Sequence, residues 1–326
     1  REVIVIQDPM GITPGQPVLG MESLPILQML DGTVSMTDLT AAVMRESKDL
    51  RVGNMIKEFV GKLDEMLLLE SPRFERALAD ARDAYHPLEI RPAAHEGLSY
   101  PAERTELDAM LDAHFAEAEA AREAAGEPRA ALDAVPRAIL APHLDPRREG
   151  ALMARAFSEI GVAPKEPLRV VILGTGHQLS GDFLALTRKH FQTPLGKATC
   201  DTAFVDQVAA RLGESAYRSE LVHRDEHSIE FQVLYLQKRL GDRPFTIVPI
   251  LCGGFYTLLD EQRTPREEPA IETLIEALRE AERTLGGRTL YVAGVDFSHV
   301  GPRFGDQRVT EEVSELVRSV DDAAVE

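Results

Sequence analysis

Four apolar runs, RAILAP (137–142), LRVVILG (168–174), FTIVPILCGG (245–254) and TLYVAGVDF (289–297), alternate with amphipathic segments in the last two thirds of this 326-residue chain. The segments between them, EGALMARAFSEIG, TAFVDQVAARLG, HSIEFQVLYLQKRLG and AIETLIEALREAERTLG, repeat their apolar residues at helical spacing. A strand that is apolar on both faces needs cover on both faces, so the pattern predicts an α/β domain with a mostly parallel sheet flanked by helices. Ligands in such sheets collect beyond the carboxyl ends of the strands.

Those ends carry the chemistry. The first run leads into His143 and Asp145, the second into GTGHQ and His177, and the fourth into Asp296, Ser298 and His299. RDEHSIEFQVLYLQKRLG reads as a helix capped by Asp225, with Glu226 and His227 in its first turn and Ile229, Val233, Leu236 and Leu240 as the buried stripe. The positive end of a helix favours a neutral His227 imidazole, free to bind a metal or accept a proton. Imidazoles and carboxylates around an open position suit a catalytic metal, non-haem Fe(II) for two histidines with a carboxylate and zinc for three histidines. A hydrogen-bonded polar cluster without metal is the alternative. His86, His95, His114, His190 and His223 read as structural residues. The chain has no nucleophile-elbow serine motif, P-loop or dinucleotide fingerprint.

Residues 1–75 read as a separate unit: a short strand in REVIVIQDP, three helices, and LLLESPRF as part of a wing. Residues 76–90 read as a linker helix, and 91–326 as the α/β domain. The apolar stripe Leu107, Met110, Leu111 and Phe115 gives the latter a packing helix that stops at Gly126.

The net charge of -18 disfavours nucleic acid and anionic lipid as partners. Residues 1–74 alone carry seven Lys/Arg against eleven Asp/Glu. With no membrane-length apolar run and no signal-peptide pattern, the expectation is a cytoplasmic protein. Two cysteines, Cys200 and Cys252, are too few for a disulfide framework.

The blocks AAHEGLSYPAERTELDAMLDAHF, ILAPHLDPRREG, VVILGTGHQLS, TPLGKATCDTAFV, RDEHSIEFQVLYLQ, FTIVPILCGG and VAGVDFSHVGPRFGD resemble, in order and spacing, the Memo family and its bacterial AmmeMemoRadiSam system protein B group. The resemblance implies a fold similar to the class III extradiol dioxygenases and a metal pocket for Fe(II), with copper or zinc as alternatives. It implies His143 and His177 as ligands and places Ser298 where some members have a cysteine ligand, leaving His227 as an alternative third ligand or general base. Asp225 and Asp296 are then expected to orient the imidazoles, and His299 to serve as acid or base. The group's name implies a radical SAM enzyme in the same pathway.

ILQMLDGTVSMTDLTAAV followed by LDEMLLLESPRF resembles the PqqD-like domains, which implies a peptide or protein partner for residues 1–75. The resulting expectation is a metal-dependent oxidoreductase with a peptide-presenting module. A non-enzymatic adaptor with a vestigial pocket is the alternative, and a hydrolase a weaker one. The chain starts at Arg1 and stops at Glu326 short of the usual Memo length, so both ends are expected to be truncated.

Overall fold

The computed structural model describes every residue except 1, 7, 9, 50, 132, 162–165, 180 and 326, and every described side chain except those of residues 257, 303, 324 and 325. The chain divides into two compact units, Arg1–Pro87 and Leu88–Glu326.

The first unit pairs β1 (Val3–Val5) with β2 (Val18–Gly20) antiparallel, then runs through helices α1 (Leu24–Gln28), α2 (Met36–Ser47), α3 (Val52–Glu65) and α4 (Pro72–Tyr85). The outer parts of the first strand-like run, Arg1, Gln7 and Pro9, lie outside the described residues. Ser35 caps α2 by accepting from the Asp38 amide at 3.1 Å. Leu39, Ile56 and Leu63 bury the inner faces of α2 and α3.

The expected wing is absent: residues 67–71 form no strand, and the two strands lie before the helices instead. The cause is the end of α3. Leu67 takes φ +61°, its amide donates to Asp64 O at 3.0 Å, and the Leu68 amide donates to Leu63 O at 2.9 Å. That pair of bonds turns the chain sharply instead of extending it. Ser71 then caps α4 at Pro72, so α4 belongs to this unit.

The second unit opens with β3 (Ile90–Arg91) and α5 (Arg104–Ala125), which ends at Gly126 with φ +68°. There follow β4 (Ala138–Pro142), α6 (Pro146–Phe157), β5 (Leu168–Thr175), β6 (Leu184–Leu186), β7 (His190–Thr193) and β8 (Gly196–Ala198). The remainder is α7 (Thr202–Leu212), α8 (His227–Leu240), β9 (Phe245–Cys252), α9 (Tyr256–Asp260), α10 (Pro269–Leu285), β10 (Arg288–Val295) and α11 (Glu311–Val325).

The four apolar runs form β4, β5, β9 and β10. The main sheet has the order β4-β10-β5-β9-β6, with the first four strands parallel and β6 antiparallel to β9. The sequence pattern did not single out β3, β7 and β8, which make a separate three-stranded sheet, nor α11.

Alternation along β5 separates two cores. Val170 and Ile172 join Leu107 and Leu111 of α5, Met153 and Phe157 of α6, and Phe231 and Tyr235 of α8. Val171 joins Phe204 and Val208 of α7 and Leu274 and Leu278 of α10. Successive strand residues point to opposite faces, so helices must cover both sides. Burying each of these larger side chains contributes about 1.5–3 kcal/mol.

Helix α8 is not the one-sided amphipath its stripe suggests, because Ser228 through Leu236 are all buried. Two glycines let it approach the sheet. A Cβ on Gly174 of β5 would lie 2.5 Å from Ile229 Cγ1 and 2.7 Å from Ser228 Oγ, and one on Gly294 of β10 would lie 3.3 Å from Gln232 Nε2. The first turn of α8 is thereby pressed against the carboxyl ends of β5 and β10, with Ser228 Oγ donating to Thr175 O at 2.8 Å. His227 is carried to the same rim as His143 and His177.

Candidate metal centre

Each histidine arrives at the rim by a different route. His143 follows the last residue of β4 and is buried, His177 sits two residues past β5, and His227 is the first residue of α8. Ring centroids are 5.0 Å apart for His143 and His177, 5.4 Å for His143 and His227, and 4.8 Å for His177 and His227. One nitrogen from each lies within 4.8 Å of the others, so this group can hold a metal ion.

Glu226 organises two of them. It caps α8, its Oε1 accepting from the amides of His227 at 2.8 Å and Ser228 at 3.0 Å. Its Oε2 accepts from the His177 amide at 3.0 Å, and His177 Nδ1 lies 3.0 Å from Oε1. A proton on His177 Nδ1 directed at this carboxylate leaves Nε2 as the outward-facing donor atom. His227 Nδ1 is 3.1 Å from the same Oε1.

This corrects the assignment of the helix cap to Asp225. The Asp225 carboxylate pairs with Arg224 at 2.6 Å, and its backbone carbonyl accepts from His95 Nε2 at 2.9 Å. The two acidic residues are adjacent in sequence, and only the position of His177 distinguishes them.

Asp296 follows β10, and its carboxylate stands where the imidazole nitrogens converge. Oδ1 lies 2.9 Å from His143 Nε2, and Oδ2 lies 3.6 Å from His177 Nε2 and 3.5 Å from His299 Nε2. Oδ1 is buried yet makes no aligned hydrogen bond, so its contact with His143 is electrostatic. Meanwhile the two Nε2 atoms of His143 and His177 are 3.3 Å apart. Two nitrogens each about 2.1 Å from one ion stand roughly 3.0–3.4 Å apart, so the spacing fits a shared cation.

The charges lean the same way. The Asp296 and Glu226 carboxylates hold the His177 imidazole up to about 9, against the opposing effect of burial. Burial alone would raise the Asp296 carboxyl, but His143 and His177 outweigh it and hold it well below the usual range. Glu226 is likewise depressed by His177 and His227 in spite of burial. Ionised carboxylates suit a bound cation, and the His177 imidazole must give up its proton before Nε2 can ligate.

Two other expected participants stand apart. Ser298 donates its hydroxyl to Asp321 Oδ1 of α11 at 2.7 Å, and its amide donates to the same oxygen at 3.2 Å. Ser298, expected as a ligand, is thus engaged by Asp321 through both its hydroxyl and its amide. His299 is exposed, with Nδ1 2.8 Å from Phe297 O, and reaches the cluster only through Asp296.

His95 stands beside the cluster. His95, read as structural, packs its ring edge-on at 5.6 Å from His227 and 5.5 Å from Phe231. Its segment is held by a buried network in which Glu230 accepts from the amides of Ala94 and His95, both at 2.9 Å, from Tyr100 Oη and from Arg91 Nη1. Arg91 also donates to Glu226 O at 2.8 Å and His223 O at 2.5 Å.

Among the described residues no helix is long and apolar enough to cross a membrane. The family model for Memo-like protein matches residues 91–326. The chain is similar to a MEMO1 family protein of Aquifex aeolicus, 28% identical over 303 residues that cover 93% of this chain and 73% of the relative. It is 29% identical to a MEMO1 family protein of Thermus thermophilus over 82% of this chain and 72% of that one. Protein MEMO1 of Xenopus laevis is 29% identical over 71% of this chain and 70% of its own length.

Proposed function

The chain belongs to the Memo family, and from that premise we propose that it is a metal-dependent oxidoreductase whose ion is held by His143, His177 and Asp296, with His227 beside them. The observation that carries this reading is the convergence of two Nε2 atoms 3.3 Å apart on the Asp296 carboxylate, His143 facing the buried Oδ1 that makes no aligned hydrogen bond and His177 facing Oδ2. Two histidines and a carboxylate form the donor set favoured by non-haem Fe(II), and this set makes Ser298 unnecessary as a ligand.

When bound, the ion would supply Lewis acidity and one-electron redox chemistry at the rim of the sheet. The chain's own groups do the rest. Glu226 orients His177, Asp296 balances the cationic charge, and exposed His299 stands beside Asp296 where it can exchange a proton with a bound molecule.

Anaerobic purification followed by elemental analysis tests the proposal. About one equivalent of iron is expected, lost in His143→Ala and Asp296→Asn, together with a high-spin iron–nitrosyl signal when nitric oxide is added to the Fe(II) protein. Failure of the fresh protein to contain or take up Fe(II), Co(II) or Zn(II) would overturn it.

A second reading, partner binding by the unit Arg1–Pro87, draws on its hairpin. Val3 is 51% exposed, Val5 56% and Val18 59%, and the β1–β2 register places them on one face. An apolar face of this kind suits a peptide or protein partner. Deleting residues 1–87 separates the readings, because the metal should stay with Leu88–Glu326 while a partner should be lost.

A further inference from the structure

Two buried polar atoms near the end of β4 lack hydrogen-bond partners. One is Nδ1 of His143, whose side chain is 1% exposed. The other is Oε1 of Gln232, a residue with no exposed surface. Gln232 lies on the second turn of α8, and its Nε2 donates to Ala141 O at 3.3 Å and Pro142 O at 3.1 Å. Both contacts are carbonyls, which fixes the amide nitrogen on that side and makes Oε1 the free acceptor. The two carbonyls belong to the residues immediately before His143, so the amide is clamped onto the backbone from which that imidazole projects.

The chemistry of the two atoms is complementary. For His143 to present an Nε2 lone pair to an ion shared with His177 and Asp296, its proton must sit on Nδ1. A buried N–H without an acceptor is unfavourable, and so is a buried amide oxygen without a donor. A single internal water that accepted from His143 Nδ1–H and donated to Gln232 Oε1 would satisfy both.

We propose that Gln232 is a positioning residue for His143, holding the end of β4 with its amide N–H groups and, through one internal water, fixing the imidazole in the tautomer that leaves Nε2 open. This rests on the metal-site reading above but is read out independently of it. Gln232 then does for His143 what Glu226 does for His177, by an uncharged route. The absence of a second carboxylate behind His143 keeps the net charge of the site from becoming more negative.

The test uses the full chain and its Gln232→Met and Gln232→Glu variants, with 15N imidazole spectra recorded for metal-free and Zn(II)-loaded protein. Wild type should show His143 as the Nδ1–H tautomer with a slowly exchanging proton. Gln232→Met should lose that protection, shift the metal-free ring toward the Nε2–H tautomer and weaken Zn(II) binding roughly 10- to 100-fold. Protonated Gln232→Glu keeps a donor for the Pro142 carbonyl and an acceptor for the water, so it should retain the wild-type His143 signal. A Gln232→Met protein with unchanged tautomer and exchange would overturn the proposal. So would a high-resolution crystal structure of the wild type with no water between the two atoms, whether or not the variants fold. If wild type binds no Zn(II), the metal-site reading fails, and the metal-free spectra still decide the role of Gln232.

Discussion

Replacing Glu230 with glutamine should be among the most damaging isosteric changes available in this protein. Glu230 and Arg91 are both fully buried and directly paired. The Glu230 carboxylate is held below its usual range because the Arg91 guanidinium and its hydrogen-bond donors outweigh burial. It receives four donors, the amides of Ala94 and His95, the Tyr100 hydroxyl and Arg91 Nη1, shared between its two oxygens. A glutamine offers one oxygen and one NH2, so two of the four donors would face another donor, and Arg91 would lose its counter-charge.

Breaking a fully buried pair from one side costs about 3–5 kcal/mol. For a unit of this size each kcal/mol corresponds to roughly 2–4 °C in Tm, so the unit Leu88–Glu326 should melt about 6–20 °C lower in calorimetry. Because the same carboxylate holds the segment bearing His95 next to His227, Zn(II) affinity should fall as well. Arg91→Met should be similarly harmful, and the double variant Arg91→Met/Glu230→Gln should cost less than the sum of the two. A Glu230→Gln protein that melts within 2 °C of wild type, or strict additivity in the double variant, would show that the pair does not hold this part of the fold.

Other parts of the site and core give four further expectations. Since the carboxylates hold His177 up to about 9, a metal must displace its proton, and Zn(II) affinity measured by competition should rise about tenfold per pH unit up to pH 9, with one proton released. The same raised value means that the pairing of His177 with Asp296 and Glu226 stabilises metal-free protein fully below pH 6.5 and ceases to do so as pH rises through 9. Burial drives the His223 imidazole down to about 4, so its contribution is present above pH 6.5 and lost as pH falls through 4. That amounts to about 3 kcal/mol, visible as a pH-dependent urea midpoint that flattens in His223→Gln. Gly174→Ala should push the start of α8 off β5, costing about 1–3 kcal/mol by overpacking and weakening Zn(II) binding. An unchanged melting curve and affinity would refute the close-approach argument.

The parallel sheet was legible because its strands are apolar on both faces, and a run such as VVIL has few other places to go. The rim positions of His143, His177 and Asp296 were legible for a related reason: a polar residue within a few positions of the end of such a run stands at the sheet's rim. What escaped was set by contacts between distant segments. The choice between Asp225 and Glu226 depends on His177, 49 residues away, whose amide bonds to Glu226. The diversion of Ser298 depends on Asp321 of α11, and His95 is brought in by a two-residue strand and a buried ion pair that no local periodicity announces. The missing wing turned on a leucine adopting a left-handed conformation, a position where sequence preference points to glycine.

One carboxylate, that of Glu226, both starts α8 and grips the loop after β5. Secondary structure and pocket are therefore closed by a single latch, and neither can be undone alone. Loss of that one carboxylate would therefore uncap the helix and release the His177 amide together.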